Sequence, residues 1–204
     1  LLIRGIDTDL VNDFLNPDIK KKLPNPFLLK DMQIAVKRTI TAIIENQNIA
    51  IIADYDVDGS TSATILFKFL QIFSNKIFLR TPNRLSEGYG PNLNIMDEML
   101  NKNIDLVFTL DCGTTSLNIL DHKKYSNIDI IIIDHHISEL ILPNVHSIIN
   151  PNRHDESSEF TQMAAVGVTF LFLMALRKTL REQNFFEKNI KEPNLASFLD
   201  LVAL

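Results

Sequence analysis

Residues 49–59 read Ile-Ala-Ile-Ile-Ala-Asp-Tyr-Asp-Val-Asp-Gly. The first five are apolar without period-two alternation, a pattern typical of a β-strand that is covered on both faces. Aspartates follow at positions 54, 56 and 58, and Ser60-Thr61-Ser62 then predicts the opening of a helix. A buried strand that passes through a short acidic turn into a helix indicates the first unit of a parallel α/β sheet.

Further short runs rich in Ile, Val or Phe lie downstream, at residues 76–79, 105–110, 128–133 and 146–149. Helical patterns separate the runs, at about 60–74, 91–102 and 114–125. Repeated strand–helix–strand units imply parallel strands joined by right-handed crossovers. The predicted fold class is therefore α/β: a Rossmann-like, mainly five-stranded parallel sheet flanked by helices, with residues 47–150 as its core.

Helical segments are predicted on both sides of this core. Residues 1–46 form an N-terminal lead-in with several Xaa-Pro turns, and they end in a helix that Asp31 is expected to cap. Residues 151–204 form a C-terminal helical segment, with a polar loop followed by a buried helix near 163–181. Because natural termini tend to be exposed, the apolar ending Leu199–Leu204 leads us to expect a truncated chain.

The composition narrows the class of protein. The 204 residues are 46% hydrophobic with one cysteine, Cys112, which excludes intrinsic disorder and an internal disulfide. No leader pattern opens the chain, and its longest apolar run, 163–176, is shorter than the ~20 residues of a membrane span. We therefore expect a cytoplasmic protein with no membrane partner. The net charge of −5 argues against coating nucleic acid with a basic face, but not against acting on it locally.

Acidic and imidazole side chains follow three of the predicted strands. Ligands of open α/β sheets bind at the carboxyl ends of the strands. The residues found there are Asp54, Asp56, Asp58, Asp111, Asp134, His135 and His136. Taken singly, each aspartate is better explained as a helix cap or turn former. Taken together, their charges would repel one another unless a cation lay between them.

The ligand types indicate which cation. Carboxylates and imidazoles without thiolates suit Mn²⁺ or Mg²⁺ better than structural zinc. Calcium is disfavoured because position 12 of a loop counted from Asp54 is Ile65 rather than Glu. More than four candidate ligands suggest two ions, as in enzymes where metal-activated water attacks a phosphoester. Phosphoester hydrolysis is the predicted reaction class.

Anion-binding groups are predicted beside the metals. Ser60 and Thr61 open one helix, and Gly113 and Thr114 open another, so their backbone amides are expected to be free for a phosphate. Ordinary helix capping is an equally good explanation of these residues. Arg84 lies in a glycine-rich loop and is either a phosphate clamp or a solvated loop charge.

Three other residues are predicted to lie outside the chemistry. Arg153 and His154 are interpreted as surface residues of a polar loop. Cys112 is flanked by acid, which would raise its pKa and make it a poor nucleophile.

Four motifs carry a resemblance to a known family. They are Asp-Tyr-Asp-Val-Asp-Gly at 54–59, Glu-Gly-Tyr-Gly at 87–90, Asp-Cys-Gly-Thr-Thr at 111–115 and Asp-His-His at 134–136. In this order and spacing they resemble the DHH phosphoesterase superfamily, and within it the RecJ-type exonucleases specific for single-stranded DNA. The stretches 23–32, 149–152 and 165–170 are also similar, so the likeness spans nearly the whole chain.

The resemblance implies a bacterial enzyme of DNA repair and recombination that degrades single-stranded DNA from its 5′ end with Mn²⁺ or Mg²⁺. A helicase or a single-strand-binding protein is an implied partner. The implied metal ligands are Asp56, Asp58, Asp111 and His135, with Asp54, Asp134 and His136 as ligands or their close neighbours. His136 is also assigned to the catalytic set, and Arg84 is similar in place to a phosphate-contacting arginine.

The sequence departs from the RecJ-type pattern at the end of the chain. RecJ-type proteins continue into a further metal-binding motif, a second, DHHA1-like domain and an oligonucleotide-binding fold, none of which is present in these 204 residues. We therefore expect this chain alone to be weakly active or inactive. The alternatives are a DHH enzyme acting on short oligonucleotides, cyclic dinucleotides or pyrophosphate, and a catalytically silent DHH scaffold.

Overall fold

A single five-stranded sheet organises the part of the chain that the computed structural model describes, residues 2–186 and 190–204. Its strands are β1 (Ile49–Ala53), β2 (Ile77–Arg80), β3 (Leu106–Leu110), β4 (Asp129–Ile133) and β5 (Ser147–Ile149). They lie in the order β2-β1-β3-β4-β5, and every neighbouring pair is parallel. The predicted fold class is confirmed, with each strand boundary within one residue of its expected position.

Helices flank this sheet and form the N-terminal segment. They are α1 (Val11–Leu15), α2 (Ile19–Lys22), α3 (Met32–Ile44), α4 (Val57–Leu70), α5 (Leu93–Asn101), α6 (Leu117–Leu120), α7 (Ala165–Glu182) and α8 (Leu199–Val202). None of the helices in the described ranges combines the length and the hydropathy needed to cross a membrane. The division of the chain at residues 46 and 150 stays a prediction.

Both faces of β1, β3, β4 and β5 are buried, whereas the edge strand β2 is partly exposed. Burial on both faces explains why the buried strands lack period-two alternation. Ile51 and Phe108 point toward α3, α4 and α7, where they join the larger apolar cluster. Their sequence neighbours Ile52 and Val107 point toward α5 and join the second cluster. Alternate side chains of one strand thus enter two different cores, and both cores require apolar residues.

Two helix predictions need correction. The helix predicted at 114–125 is only the single turn α6, followed by a 3₁₀ turn at Lys123–Tyr125. Helix α4 begins at Val57, three residues before the predicted start, because the carboxylate of Asp56 caps it by accepting a hydrogen bond from the amide of Gly59.

The interpretation of Arg153 as a surface residue is wrong. Its side chain is 8% exposed and forms ion pairs with Asp31 and Asp155, each at 2.7 Å. Asp31 does precede α3, but it has a positive φ of 60° and makes no capping hydrogen bond. Its carboxylate instead accepts from Arg153 and from the amide of Ile148 at the end of the sheet. His154 is exposed, as predicted.

Candidate metal centre

The carboxyl ends of β1, β3 and β4 place the predicted acidic residues side by side. These three strands are neighbours in the sheet and run in the same direction, so the residues that follow them meet at one edge. Asp54 follows β1, Asp111 follows β3 and Asp134 follows β4. All three are at least 95% buried, with exposures of 5%, 2% and 1%.

Two groups of side chains lie close enough to hold an ion. Asp54, Asp56 and Asp111 offer ligand atoms within 4.8 Å of one another, and so do Asp111, His135 and His136. Asp111 belongs to both groups. The structure thus brings together five of the seven side chains that the strand ends supply to the predicted site.

Two carboxylate oxygens of this cluster are buried without a hydrogen-bond donor. Within the described residues, Asp54 Oδ1 and Asp111 Oδ1 are buried and accept no hydrogen bond. A buried carboxylate oxygen left in this way costs free energy unless a positive group occupies the position. His135 Nε2 lies 3.3 Å from Asp111 Oδ1 without forming a hydrogen bond. Carboxylates and imidazoles are ligand types that suit Mn²⁺ or Mg²⁺.

The electrostatics of the cluster also favour a cation. Burial, together with the charges of Asp58, Asp56 and Asp134, raises the pKa of Asp111 to about 8. Burial likewise raises the pKa of Asp54. The hydrogen bond to Asp134 raises the pKa of His136 to about 9 in the metal-free protein. A divalent ion would offset both the burial and the repulsion that raise the Asp111 pKa.

Asp134 and Asp58 direct their carboxylates at protein donors. Asp134 Oδ1 accepts from the amides of His135 and His136 and contacts His136 Nδ1 at 2.8 Å, while Oδ2 accepts from the amide of Thr114. Burial acts to raise the pKa of Asp134, but the hydrogen bonds with the His136 side chain and with Thr114 outweigh it and lower that pKa. Asp58 accepts from two amides at the start of α7. Metal ligation by Asp58 and Asp134 stays a prediction.

Two glycines allow the acidic turns to approach the sheet closely. Gly113 has a φ of 111°, and a Cβ there would lie 2.5 Å from Thr109 Oγ1. A Cβ on Gly59 would lie 2.4 Å from the backbone oxygen of Asp54. Asp111 itself has a φ of 58°, a conformation that aspartate tolerates better than most residues. Glycine at these two positions is therefore a condition for the geometry of the site.

The amides predicted to bind an anion are already in use. The amide of Gly59 donates to Asp56 Oδ1, and that of Ser60 donates to the backbone oxygen of Asp56. Thr61 is buried, and its hydroxyl donates to Val57 of its own helix. The expectation of free amides at this helix is wrong.

The second predicted anion site is a turn rather than a helix N-terminus. Gly113 and Thr114 precede α6 by several residues, and the amide of Thr114 donates to Asp134. Gly113 supplies its carbonyl to the amide of Ser116. Substrate contact by Ser60, Thr61, Gly113 and Thr114 stays a prediction without the support of free amides.

Arg84 lies over an aromatic ring beside the carboxylates. Its guanidinium carbon is 5.4 Å from the ring centroid of Tyr55, and the side chain is exposed. The charge of Arg84 acts on Asp54, where it opposes the rise in pKa that burial causes. An ion pair of Arg80 with Glu87 supports the Arg84 loop, and Glu87 also accepts from the amide of Asn83.

Sequence reasoning missed three contributors to the site. The hydroxyl of Tyr89 donates to the backbone oxygen of Asp111 at 2.7 Å and lies 3.3 Å from His136 Nδ1. Asn150 and Asn152 donate to the backbone oxygens of the two histidines. Tyr89 lies in the motif at 87–90 and the two asparagines lie in the similar stretch 149–152, so the family resemblance was the available signal. Cys112 is fully buried and its pKa is raised by burial, as expected of a poor nucleophile.

Comparison with known proteins identifies the family. The sequence profile described as the DHH family, N-terminal domain, matches residues 48–204. The chain belongs to the DHH family. Among DHH relatives, it is 36% identical over 178 residues to the single-stranded-DNA-specific exonuclease RecJ of Escherichia coli K12, which covers 86% of this chain and 31% of that protein. It is also 33% identical over 159 residues to RecJ of Bacillus subtilis 168, covering 78% of this chain and 20% of that one.

A solved structure supports the same assignment. The DHH chain superimposes on a crystal structure of exonuclease RecJ bound to manganese with a TM-score of 0.72 and 28% identity, over 86% of this chain and 42% of that one. The resemblance to RecJ-type proteins is thereby confirmed. The chain nevertheless spans less than a third of the length of the curated relative from E. coli.

Proposed function

We propose that this chain is the N-terminal catalytic part of a divalent-metal-dependent exonuclease that degrades single-stranded DNA from its 5′ end. The observation that carries the proposal is a pair of buried oxygens, Asp54 Oδ1 and Asp111 Oδ1, that accept no hydrogen bond from the described residues at the carboxyl edge of the sheet. The Asp111 oxygen lies 3.3 Å from His135 Nε2. Relatives named for single-stranded-DNA-specific exonuclease activity support the choice of substrate.

The ions are proposed to be Mn²⁺ or Mg²⁺, and two of them, because Asp111 is shared between two ligand groups. Asp54, Asp56 and Asp111 would hold one ion, and Asp111, His135 and His136 the other. Asp58 and Asp134 are proposed to contribute from the edge of the cluster. When bound, the ions would supply a hydroxide for attack on phosphorus and would stabilise the charge that develops on the phosphate.

The other groups of the site suit a phosphodiester. Arg84 is exposed over Tyr55 and is free to reach a phosphate oxygen with its planar guanidinium. Tyr89 fixes the backbone of Asp111. Work in DNA repair and recombination, a cytoplasmic location and a helicase or single-strand-binding partner complete the proposal.

The test is a nuclease assay on the full-length protein. We expect it to release nucleotides from the 5′ end of labelled single-stranded DNA in Mn²⁺, with little action on duplex DNA and none in excess chelator. Asp111→Asn and His135→Ala should abolish the activity, whereas Asp9→Asn, in the exposed N-terminal segment, should keep it. Full activity in His135→Ala, or a preference for dinucleotides or pyrophosphate over long single strands, would overturn the proposal.

A further inference from the structure

We propose that Asn150, together with Asn152, is a positioning residue that sets the backbone of His135 and His136. The inference rests on the proposed metal centre, because its consequence is the placement of two candidate ligands. Asn150 directly follows β5 and is 0% exposed, although it is polar. A buried amide of this kind is stable only when its donors and its acceptor are paired.

The side chain of Asn150 meets that requirement with three hydrogen bonds to three segments. Its Nδ2 donates to Thr114 Oγ1 at 3.0 Å and to the backbone oxygen of His136 at 2.9 Å. Its Oδ1 accepts from the amide of Asn152 at 2.7 Å. One side chain therefore ties together the turns that follow β3, β4 and β5.

Asn152 extends the same network to the other histidine. Its Nδ2 donates to the backbone oxygen of His135 at 2.6 Å and to that of Thr161 at 3.2 Å. The carbonyls of both histidines are thus fixed by asparagines. Their amides are fixed from the opposite side, since both donate to Asp134 Oδ1. Backbone groups on both sides of each residue are held, which restricts the directions that the two imidazoles can take.

The asparagines are themselves anchored to the body of the domain. Arg153 follows Asn152 directly and is buried, with Nη1 donating to the backbone oxygen of Ile148 in β5 and to Asp31 before α3. Because this turn cannot shift independently of the sheet, its hydrogen bonds determine where the histidines lie. Partners of this type behind metal ligands typically change metal affinity by 10–100-fold when they are removed.

The test compares Asn152→Ala and Asn150→Ala with Asn118→Ala, a control at an exposed position of α6. Asn152 is half-buried, so its variant is expected to fold with a thermal midpoint close to that of the control. We expect its Mn²⁺ affinity, measured by calorimetry, to fall about 10-fold or more. Asn150→Ala should lose affinity to at least the same extent and also lower the thermal midpoint, because it leaves buried groups unpaired.

Crystal structures of the metal-free wild type and Asn152→Ala provide a readout that does not need the ion. We expect the His135 ring to be displaced or disordered in the variant only. Wild-type Mn²⁺ affinity together with an unmoved His135 ring in Asn152→Ala would overturn the inference, even if Asn150→Ala fails to fold. If the wild type binds no Mn²⁺, the proposed metal centre fails, and the ring position alone then decides the positioning role.

Discussion

The carboxylate of Asp58 accepts a hydrogen bond from the amide of Ala165, 107 residues further along the chain, at 2.7 Å. Its other oxygen accepts from the amide of Val166, also at 2.7 Å. Ala164, the residue at the N-cap position of α7, has no side chain that could do this. The third carboxylate of the acidic motif thus caps a distant helix. The same carboxylate lies 3.5 Å from His135 Nε2. Asp58 therefore holds the start of α7 beside the candidate metal centre.

Asp58→Asn should destabilise the metal-free protein. An amide offers one acceptor oxygen in place of two and carries no charge toward the positive end of the α7 dipole, so the free energy of unfolding should fall by about 1–2 kcal/mol. Urea denaturation in excess chelator measures the change, with Asp9→Asn as a matched control in the exposed N-terminal segment. An unchanged urea midpoint for Asp58→Asn would show that the cap contributes nothing.

Gly59→Ala and Gly167→Ala should have opposite effects, although both glycines lie in the first turn of a helix. A Cβ at Gly59 meets backbone atoms of Asp54 at 2.4 and 2.8 Å, which cannot move aside cheaply. A Cβ at Gly167 meets only Met163 at an ordinary 3.8 Å. We expect urea denaturation to show a loss of about 1–3 kcal/mol for Gly59→Ala. Gly167→Ala should be neutral or gain up to about 1 kcal/mol. Equal effects of the two substitutions would contradict the close approach of Gly59.

The sheet could be predicted from the sequence because its signal is local. Each strand except the edge strand β2 is a short run buried on both faces, and parallel order then places the aspartates that follow β1, β3 and β4 at one edge. Residue type and strand position together were enough to indicate Asp54 and Asp111.

The contacts that the sequence did not reveal are long-range. Arg153 resembles a loop charge until Asp31, 122 residues away, is placed beside it. Asp58 resembles a cap for its own helix, but Asp56 fills that role and Asp58 caps α7. The spacing of a motif does not predict which distant backbone amides will lie near its carboxylates, because tertiary packing determines those contacts.

The ion pairs of Asp155 should make part of the stability sensitive to acid. Hydrogen bonds from Lys30, and then from Arg153, lower the pKa of Asp155 from 3.8 to about 2. Because the folded-state pKa is the lower one, this contribution is fully present above about pH 4 and is lost as the pH falls toward 2. Thermal unfolding of wild type and Asp155→Asn at pH 5, 4 and 3 should give midpoints that converge as the pH falls. A difference that stays constant would contradict the pairing.

Asp111→Asn should stabilise the metal-free protein while removing its response to metal. Because the Asp111 pKa is about 8 in the folded protein, its carboxyl stays protonated there at pH values where the unfolded chain, with a pKa near 4, has already lost the proton. The stability of the fold therefore decreases as the pH rises from about 4 to about 8. A neutral asparagine avoids that cost and tolerates the φ of 58° at this position. In chelator, the variant should therefore have the higher thermal midpoint, and by a larger margin at pH 8 than at pH 5.

In Mn²⁺ the order of the two midpoints should reverse. An ion that binds the folded state raises the wild-type midpoint by mass action, and Asp111 belongs to both ligand groups. A variant that is less stable than wild type in chelator at pH 8, or that gains as much from Mn²⁺, would show that Asp111 is not the shared, repelled carboxylate of the site.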